Sequence, residues 1–422
     1  MTDRESVVLR AARWLDIDQG VVREGARLVV DGDRIASVGD EGASTSRDEL
    51  DLGDVTLLPG LMDMELNLVL GGPSGGNPRS DVQDDNAFRT LRATLNARKT
   101  LLAGFTTARN LGLFVRTGGV LLDVALSRAI DLGWIDGPRL VPAGHAISPT
   151  GGHLDPTMFQ RIGPGIMPLT TEEGIANGVP EVRAAVRYQL KYGAQLIKIS
   201  ASGGVMSHSG EAGAQQYSDE ELAAIVDEAH RAGVRVAAHC HGDGAAQACI
   251  RAGVDCLEHG FLISDETLKM MANEGTFLVG TTLLTDQMDL SRAAPELKAK
   301  AAEVFPKAKT VLPRAAAAGV KICCGTDAPA IPHGDNAKEL AAMVERGLTP
   351  LQALTAATVT SAELIGVNDR GRLAAGLLAD VIAVPGNPLE DVSVTQDVRF
   401  VMKGGRIYKN LPAGNEPVEA SA

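Results

Sequence analysis

"SDEELAAIVDEAHRAGVRVAAHCHG", residues 218–242, sets two elements back to back. Ser218 followed three residues later by Glu221 is a capping-box signature, and apolar residues then recur at helical spacing up to Ala232-Gly233. "RVAAHCH" follows as a short apolar run ending on His239 and His241, which share one strand face because they lie two apart. A helix feeding a buried strand that ends on imidazoles is one unit of an alternating pattern, and the neighbouring sequence repeats it.

Eight such apolar runs can be counted: "LMDMELNL" (61–68), "FTTARNL" (105–111), "RLVPAGHAI" (139–147), "QLIKISAS" (195–202), "RVAAHCH" (235–241), "DCLEHG" (255–260), "TFLVGTTLL" (276–284) and "VKICCGTDA" (320–328). Helical patterns separate most of them, and further helices are expected over "NAKELAAMVERG" (336–347) and "TPLQALTAATVTSAELIG" (349–366). The expected fold class is α/β, a (β/α)8 TIM barrel over 59–370. A doubly wound open sheet competes, but no Gly-x-Gly-x-x-Gly turn follows an early strand. Residues 5–58 and the segments "ADVIAVPG" and "VRFVMKGGRIYKN" read instead as short strands with Gly and Asp punctuation. Residues 1–58 plus 371–410 are therefore expected to form a small composite β-sandwich, with 411–422 a disordered tail rich in Pro, Glu and Ala.

Composition narrows the function. The chain has 422 residues, enough for a large core. Its net charge of -13 and its lack of any basic stripe argue against nucleic acid, and 3% aromatic residues leave little for base stacking. Five scattered cysteines without a CxxC pair fit a reduced cytoplasm. Neither a signal-peptide h-region nor a membrane-spanning run is expected from the pattern, so the reading is a cytoplasmic protein with no membrane partner.

In a barrel, chemistry gathers at the C-terminal ends of the strands. Lys198 ends the fourth run, His239 and His241 the fifth, His259 the sixth and Asp327 the eighth. Two histidines on adjacent strands with an aspartate suit a divalent ion, zinc above all. Such an ion makes hydroxide available at neutral pH, and Asp327 could take and return the proton. Hydrolysis is thus suggested by the residues themselves.

The motifs "TLLPGLMDME", "GFTTARNLG", "QLIKISASGG", "AHCHG", "LEHG", "GTDAPAIPHG" and "DRGRLAAGLLADVIAVPGNP" together resemble the amidohydrolase superfamily, from about residue 7 to 408. Within it they look like the imidazolonepropionase-like branch that includes Xaa-Pro dipeptidases, N-acyl amino acid carboxypeptidases and ochratoxin-degrading amidohydrolases. The resemblance implies that Lys198 is the lysine often carbamylated to hold metal. It implies that His239 and His259 are metal ligands and that Asp327 is both ligand and proton shuttle. His153 matches a carbonyl-polarising histidine, and Tyr217 a group that contacts the substrate carboxylate. His333 is placed at the mouth, with His208 and His241 as candidate substrate contacts; fixing a loop is an equal alternative for His241. A small-molecule amide is the implied substrate, such as an N-acyl amino acid or ochratoxin A; a cyclic-amide hydrolase and a non-catalytic ligand-binding relative are the alternatives. The resemblance also implies a homo-oligomer, with an octamer one of the forms open to it.

One departure stands out. Where the family has His-x-His on the first barrel strand, this chain has Glu65 and Asn67. Three consequences are open: oxygen ligation of an outer metal by Glu65 and Asn67, a single ion held by Lys198 carbamate, His239 and His259, or an inactive relative. One zinc is favoured and two remain possible. With a single ion, Glu65 could instead act from behind the ligands as a base or by orienting the water; a structural pair with Arg109 is an equal alternative. Asp63 is read as support for the strand end, His145 as a structural hydrogen bonder, His230 as a solvated helix residue and Cys323-Cys324 as packing.

Overall fold

The computed structural model describes residues 6–39, 48–71, 83–157, 169–207, 210–291 and 293–411. Its strands run β1 (Val7–Asp16), β2 (Val21–Asp31), β3 (Arg34–Val38), β4 (Asp48–Asp51), β5 (Val55–Pro59), β6 (Leu61–Leu66), β7 (Phe105–Asn110), β8 (Arg139–Pro142), β9 (Ile197–Ser200), β10 (Val236–Cys240), β11 (Cys256–His259), β12 (Phe277–Val279), β13 (Ile322–Cys323), β14 (Val381–Pro385), β15 (Phe400–Lys403) and β16 (Arg406–Asn410). The protein is α/β, with each of the eight apolar runs contributing one of strands β6 to β13.

Both ends of the chain share one sheet in the order β16-β15-β14-β5-β1-β2-β3, with β4 paired to β1. Alternation explains it. Leu9 and Ala11 of β1, Leu28 and Val30 of β2 and Leu57 of β5 are buried with Phe400 and Met402 of β15, while Arg10 and Glu49 pair at the exposed edge.

Between these ends the strands run parallel in two sheets, β6-β7-β8 and β13-β12-β11-β10-β9. Their outer edges are bonded to one another as well. Met64 N donates to Cys324 O and Asn67 N to Ala328 O on one side, and Ile147 N to Lys198 O and Ser200 N to Ile147 O on the other. Strands buried on both faces read as largely apolar runs without the in–out alternation of a half-exposed strand.

Helix Asp219–Arg231 forms where the capping box predicts it. Ser218 Oγ accepts from Glu221 N at 3.3 Å and Glu221 Oε2 accepts from Ser218 N at 2.8 Å. Its buried face includes Leu222, Ile225 and Ala229, the i, i+3, i+7 stripe. Ser218→Ala removes one partner of that box, and a fall of about 1 kcal/mol in unfolding free energy is expected in a denaturant titration. Helix Lys338–Glu345 also lies where the sequence places one. The segment 349–366 differs: it holds two helices, Pro350–Ala356 and Val359–Leu364, not one. Thr358 breaks the run, because its hydroxyl donates back to Leu354 O at 2.6 Å while its own backbone is non-helical. Of the tail, only Leu411 is described, its N–H bonded to Arg399 O; the remainder of the predicted tail lies outside the described residues.

Among the described residues, no helix is long and apolar enough to cross a membrane. All five cysteines are free and buried. Cys323 and Cys324 pack in the interior, as the sequence suggests.

Candidate active site

Strand ends from both parallel sheets face one cavity of about 320 Å³. Glu65 comes from β6, Lys198 from β9, His239 and His241 from β10 and the residue after it, His259 from β11, and Asp327 from the segment beyond β13; His153 joins them from a loop. Register accounts for part of this: Ala237 pairs with Lys198, His239 with Glu258 and Cys240 with His259, so the polar side chains rise at adjacent levels. The four imidazoles form one cluster, with ring centroids 4.0 Å apart for His153–His239, 4.7 Å for His239–His241 and 4.8 Å for His239–His259. The rest of the lining is largely apolar, including Phe114, Leu154, Val205, Met206, Phe305 and Phe261, whose ring stacks on His241 at 4.8 Å.

Backbone conformation marks the same place. Among the described residues, the non-glycine positions with left-handed φ are His259 (φ 70°), Thr281 (φ 41°) and Asp327 (φ 53°). Each costs conformational energy, and such strain gathers at functional sites. Thr281 also explains the orientation of His259, since its Oγ1 lies 2.8 Å from Nδ1 and leaves Nε2 toward Glu65 Oε1 at 3.5 Å.

Burial sets the charge states. It pushes His153 and His241 down to about 3, with neighbouring positive charge adding to the effect. His239 and His259 are held well below the ordinary imidazole range for the same reason. All four rings are therefore neutral at pH 7, the state in which imidazole binds a cation. Burial also pushes Asp327 up to about 7, assisted by Glu258 and Asp63 and opposed by Lys198. Glu65 is raised well above the carboxylate range by burial, with Lys198 pulling the other way.

The alternating polar residues of β6 have separate fates. Asp63 is structural: it accepts from Thr326 Oγ1 at 2.6 Å, Asn336 Nδ2 at 2.7 Å, Glu65 N at 3.1 Å and Thr326 N at 3.2 Å. Glu65 Oε1 instead accepts from Lys198 Nζ at 3.1 Å, both side chains being nearly inaccessible. Asn67 holds the following turn, donating to Gly112 O and accepting from Val69 N and Leu70 N. Its side chain is spent on backbone and does not line the cavity, which corrects its reading as an outer-metal ligand.

Residues 56–408 match the model of the amidohydrolase family. The chain belongs to that family. It is 35% identical to ochratoxinase of Aspergillus niger over 98% of this chain and 89% of that protein. A Xaa-Pro dipeptidase crystallised with methionine in its active site superposes with a TM-score of 0.88 at 35% identity, covering 96% of this chain and all of that one. The crystal structure of A. niger ochratoxinase superposes at 0.84 with 32% identity and 96% coverage of both chains. As an amidohydrolase the protein is a hydrolase consistent with action on amide bonds.

Amidohydrolases typically bind a divalent metal, and the donors here fit one chemically. His239 Nε2 and Glu65 Oε2 are buried without a hydrogen-bond partner among the described residues, and a mixed imidazole and carboxylate set suits zinc. The set is not preformed: among the described residues no three His, Cys, Asp or Glu side chains are already grouped to hold an ion.

Other sequence expectations fall elsewhere. Tyr217 does not reach the cavity; it is buried at 1% exposure and its hydroxyl donates to Ala176 O at 3.1 Å. Tyr217→Phe should leave KM unchanged while lowering stability by about 1 kcal/mol, separable by steady-state kinetics and thermal unfolding. His333 is buried beside the Asn67 backbone and is not part of the cavity lining. Arg109 pairs with Glu258 at 2.9 Å, not with Glu65. His145 makes its structural bond to Thr117 Oγ1 at 2.7 Å, and His230 is exposed with Asp255 at 2.9 Å. His208 lies outside the described residues. Sequence reading missed Thr281 and the aromatic wall; the tandem Thr281-Thr282 at the end of an apolar run was the available signal.

Proposed function

We propose that this amidohydrolase uses one divalent ion, zinc by preference, to hydrolyse amides of amino acids and release the C-terminal residue. The observation that carries the reading is the meeting of neutral His239 and His259 with Asp327, Lys198 and Glu65 at one cavity whose remaining lining is largely apolar. The two bonded parallel sheets are read as the two arcs of a (β/α)8 barrel, with the sheet from both termini as the composite β-sandwich.

His239, His259, Asp327 and Glu65 would hold the ion. When bound it supplies Lewis acidity and hydroxide at neutral pH. The chain's own groups do the rest. Asp327 takes the proton of the attacking water and passes it to the departing amine nitrogen. His153, neutral and stacked on His239, would donate to the carbonyl oxygen. Phe114, Phe261 and Phe305 exclude water and receive an aromatic acyl group. Ochratoxin A, an aryl amide of phenylalanine, has that shape, and the likeness to ochratoxinase supports it.

Incubation of the zinc-loaded protein with ochratoxin A and with N-acyl amino acids should release the free amino acid. No release at any metal loading would remove the reading. Elemental analysis adds an independent check, since the purified protein should carry the ion.

A further inference from the structure

We propose that the outer face of helix Asn86–Leu102 is a two-fold contact through which two copies of this chain associate. The helix is apolar on two sides. Ala93, Ala97 and Leu101 face the interior, while Phe88, Leu91 and Leu95 are 56%, 67% and 58% exposed. Their spacing of i, i+3 and i+7 lines them up as one stripe opposite the buried face. Single exposed apolar residues are ordinary, but three large ones in line mark a contact surface.

Charge selects the occupant. The helix contains no acidic residue, and its C-terminal half carries exposed Arg98 and Lys99. Asp85, exposed, caps the opposite end by accepting from Phe88 N at 2.8 Å. A face with acid at one end and base at the other complements a copy of itself turned end for end. A two-fold axis between Leu91 and Arg92 sets two such helices antiparallel. Leu91 then meets the partner's Leu91, Phe88 the partner's Leu95 and Asp85 the partner's Arg98. Arg92, beside the axis, is already paired within its own chain to Asp84 at 2.5 Å. A parallel pair would instead set Arg98 against Arg98. An anionic membrane suits the face less well, given Asp85 and a net charge of -13.

A stable interface buries about 800 Å² per partner, more than one helical stripe supplies. The surface continues past the helix. Arg98 Nε lies 4.0 Å from Asp136 Oδ2, and Trp134, two residues earlier, is 77% exposed. The Trp134 turn thus borders the Leu95–Arg98 end of the stripe, the end that receives the partner's Phe88. At the other end Arg92 Nη2 donates to Val69 O at 3.1 Å, and the next two residues, Leu70 and Gly71, line the cavity. A copy seated on this helix stands behind the cavity rim.

The full chain tests this by mass and by cross-linking. Wild type at micromolar concentration should sediment as an even number of chains, and Leu91→Asp, which sets two carboxylates at the axis, should halve that mass. All five native cysteines are buried, so wild type should form no disulfide under mild oxidation. Leu91→Cys should be trapped largely as a covalent dimer on a non-reducing gel. Leu95→Cys alone should not link, because seven residues of helix, about 10 Å, separate it from its own copy, beyond the disulfide reach of about 7 Å between Cα atoms. Phe88→Cys combined with Leu95→Cys should link again. Wild type that sediments as a monomer overturns the inference, whether it stays free or floats with anionic phospholipid vesicles. An oligomer in which Leu91→Cys fails to link, or Leu95→Cys links alone, overturns it as well. The wild-type mass and the conservative cysteine variants decide the matter even where Leu91→Asp does not fold.

Discussion

Asp327→Asn should lower kcat for an N-acyl amino acid by about 10²- to 10⁴-fold, the range associated with loss of a general acid–base group, while the chain folds as before. Retention of the fold follows from the backbone. Asp327 sits at φ 53°, a region that asparagine tolerates better than most residues. Its local anchors are main-chain: Asp327 N donates to Glu65 O at 2.6 Å and Asp327 O accepts from Ala330 N at 2.9 Å. An amide of the same shape preserves both bonds and removes the proton acceptor. Parallel measurements of kcat, KM and melting temperature check this. An unchanged kcat would show that the aspartate carries no proton in the reaction.

The second large effect concerns stability. Arg109→Met should cost about 3–5 kcal/mol, the usual penalty for removing one partner of a buried ion pair. Arg109 and Glu258 are both shielded from solvent, and Arg109 makes three directed contacts: Nε to Met64 O at 2.7 Å, NH1 to Cys256 Sγ at 3.2 Å and NH2 to Glu258 Oε1 at 2.9 Å. Methionine approximates the stem but abandons the Met64 carbonyl and deprives buried Glu258 of its guanidinium partner. Arg109→Lys should recover only part of the loss, because an ammonium cannot span the three acceptors. The paired change Arg109→Met with Glu258→Leu should be less harmful than the arginine substitution alone. Urea midpoints for the three variants test this order, and a single mutant within 1 kcal/mol of wild type, roughly the cost of an ordinary hydrogen bond, would refute it.

These two residues differ in how readily the chain discloses them. Asp327 ends an apolar run beside a Gly-Thr pair, so its exposure to a shared cavity is foreseeable from the pattern. Arg109 also lies within an apolar run, yet its partner is 149 residues away. No local spacing predicts that pairing, and the plausible guess of Glu65 was wrong because Glu65 is engaged by Lys198. Tyr217 shows the same limit. Its place just before the capping box of helix Asp219–Arg231 is legible, whereas the direction of its ring depends on Ala176 and the packing around it.

Length, apolar periodicity and capping chemistry were enough to locate each of the eight parallel strands and the helix that opens on Ser218, because these are properties of short stretches acting on their own backbone. They were also enough to mark Lys198, His239, His259 and Asp327, since an ionisable side chain closing an apolar run is conspicuous without any neighbour. Which donors are free and which are spent was settled by packing between distant strands. Asn67 is consumed by Gly112 and Asp63 by Thr326 and Asn336, whereas Lys198 engages only one oxygen of Glu65. A period of two places all three on one face, but the hydrogen bonds that distinguish them come from segments far along the chain, and buried polar groups take whichever partners the fold brings within reach.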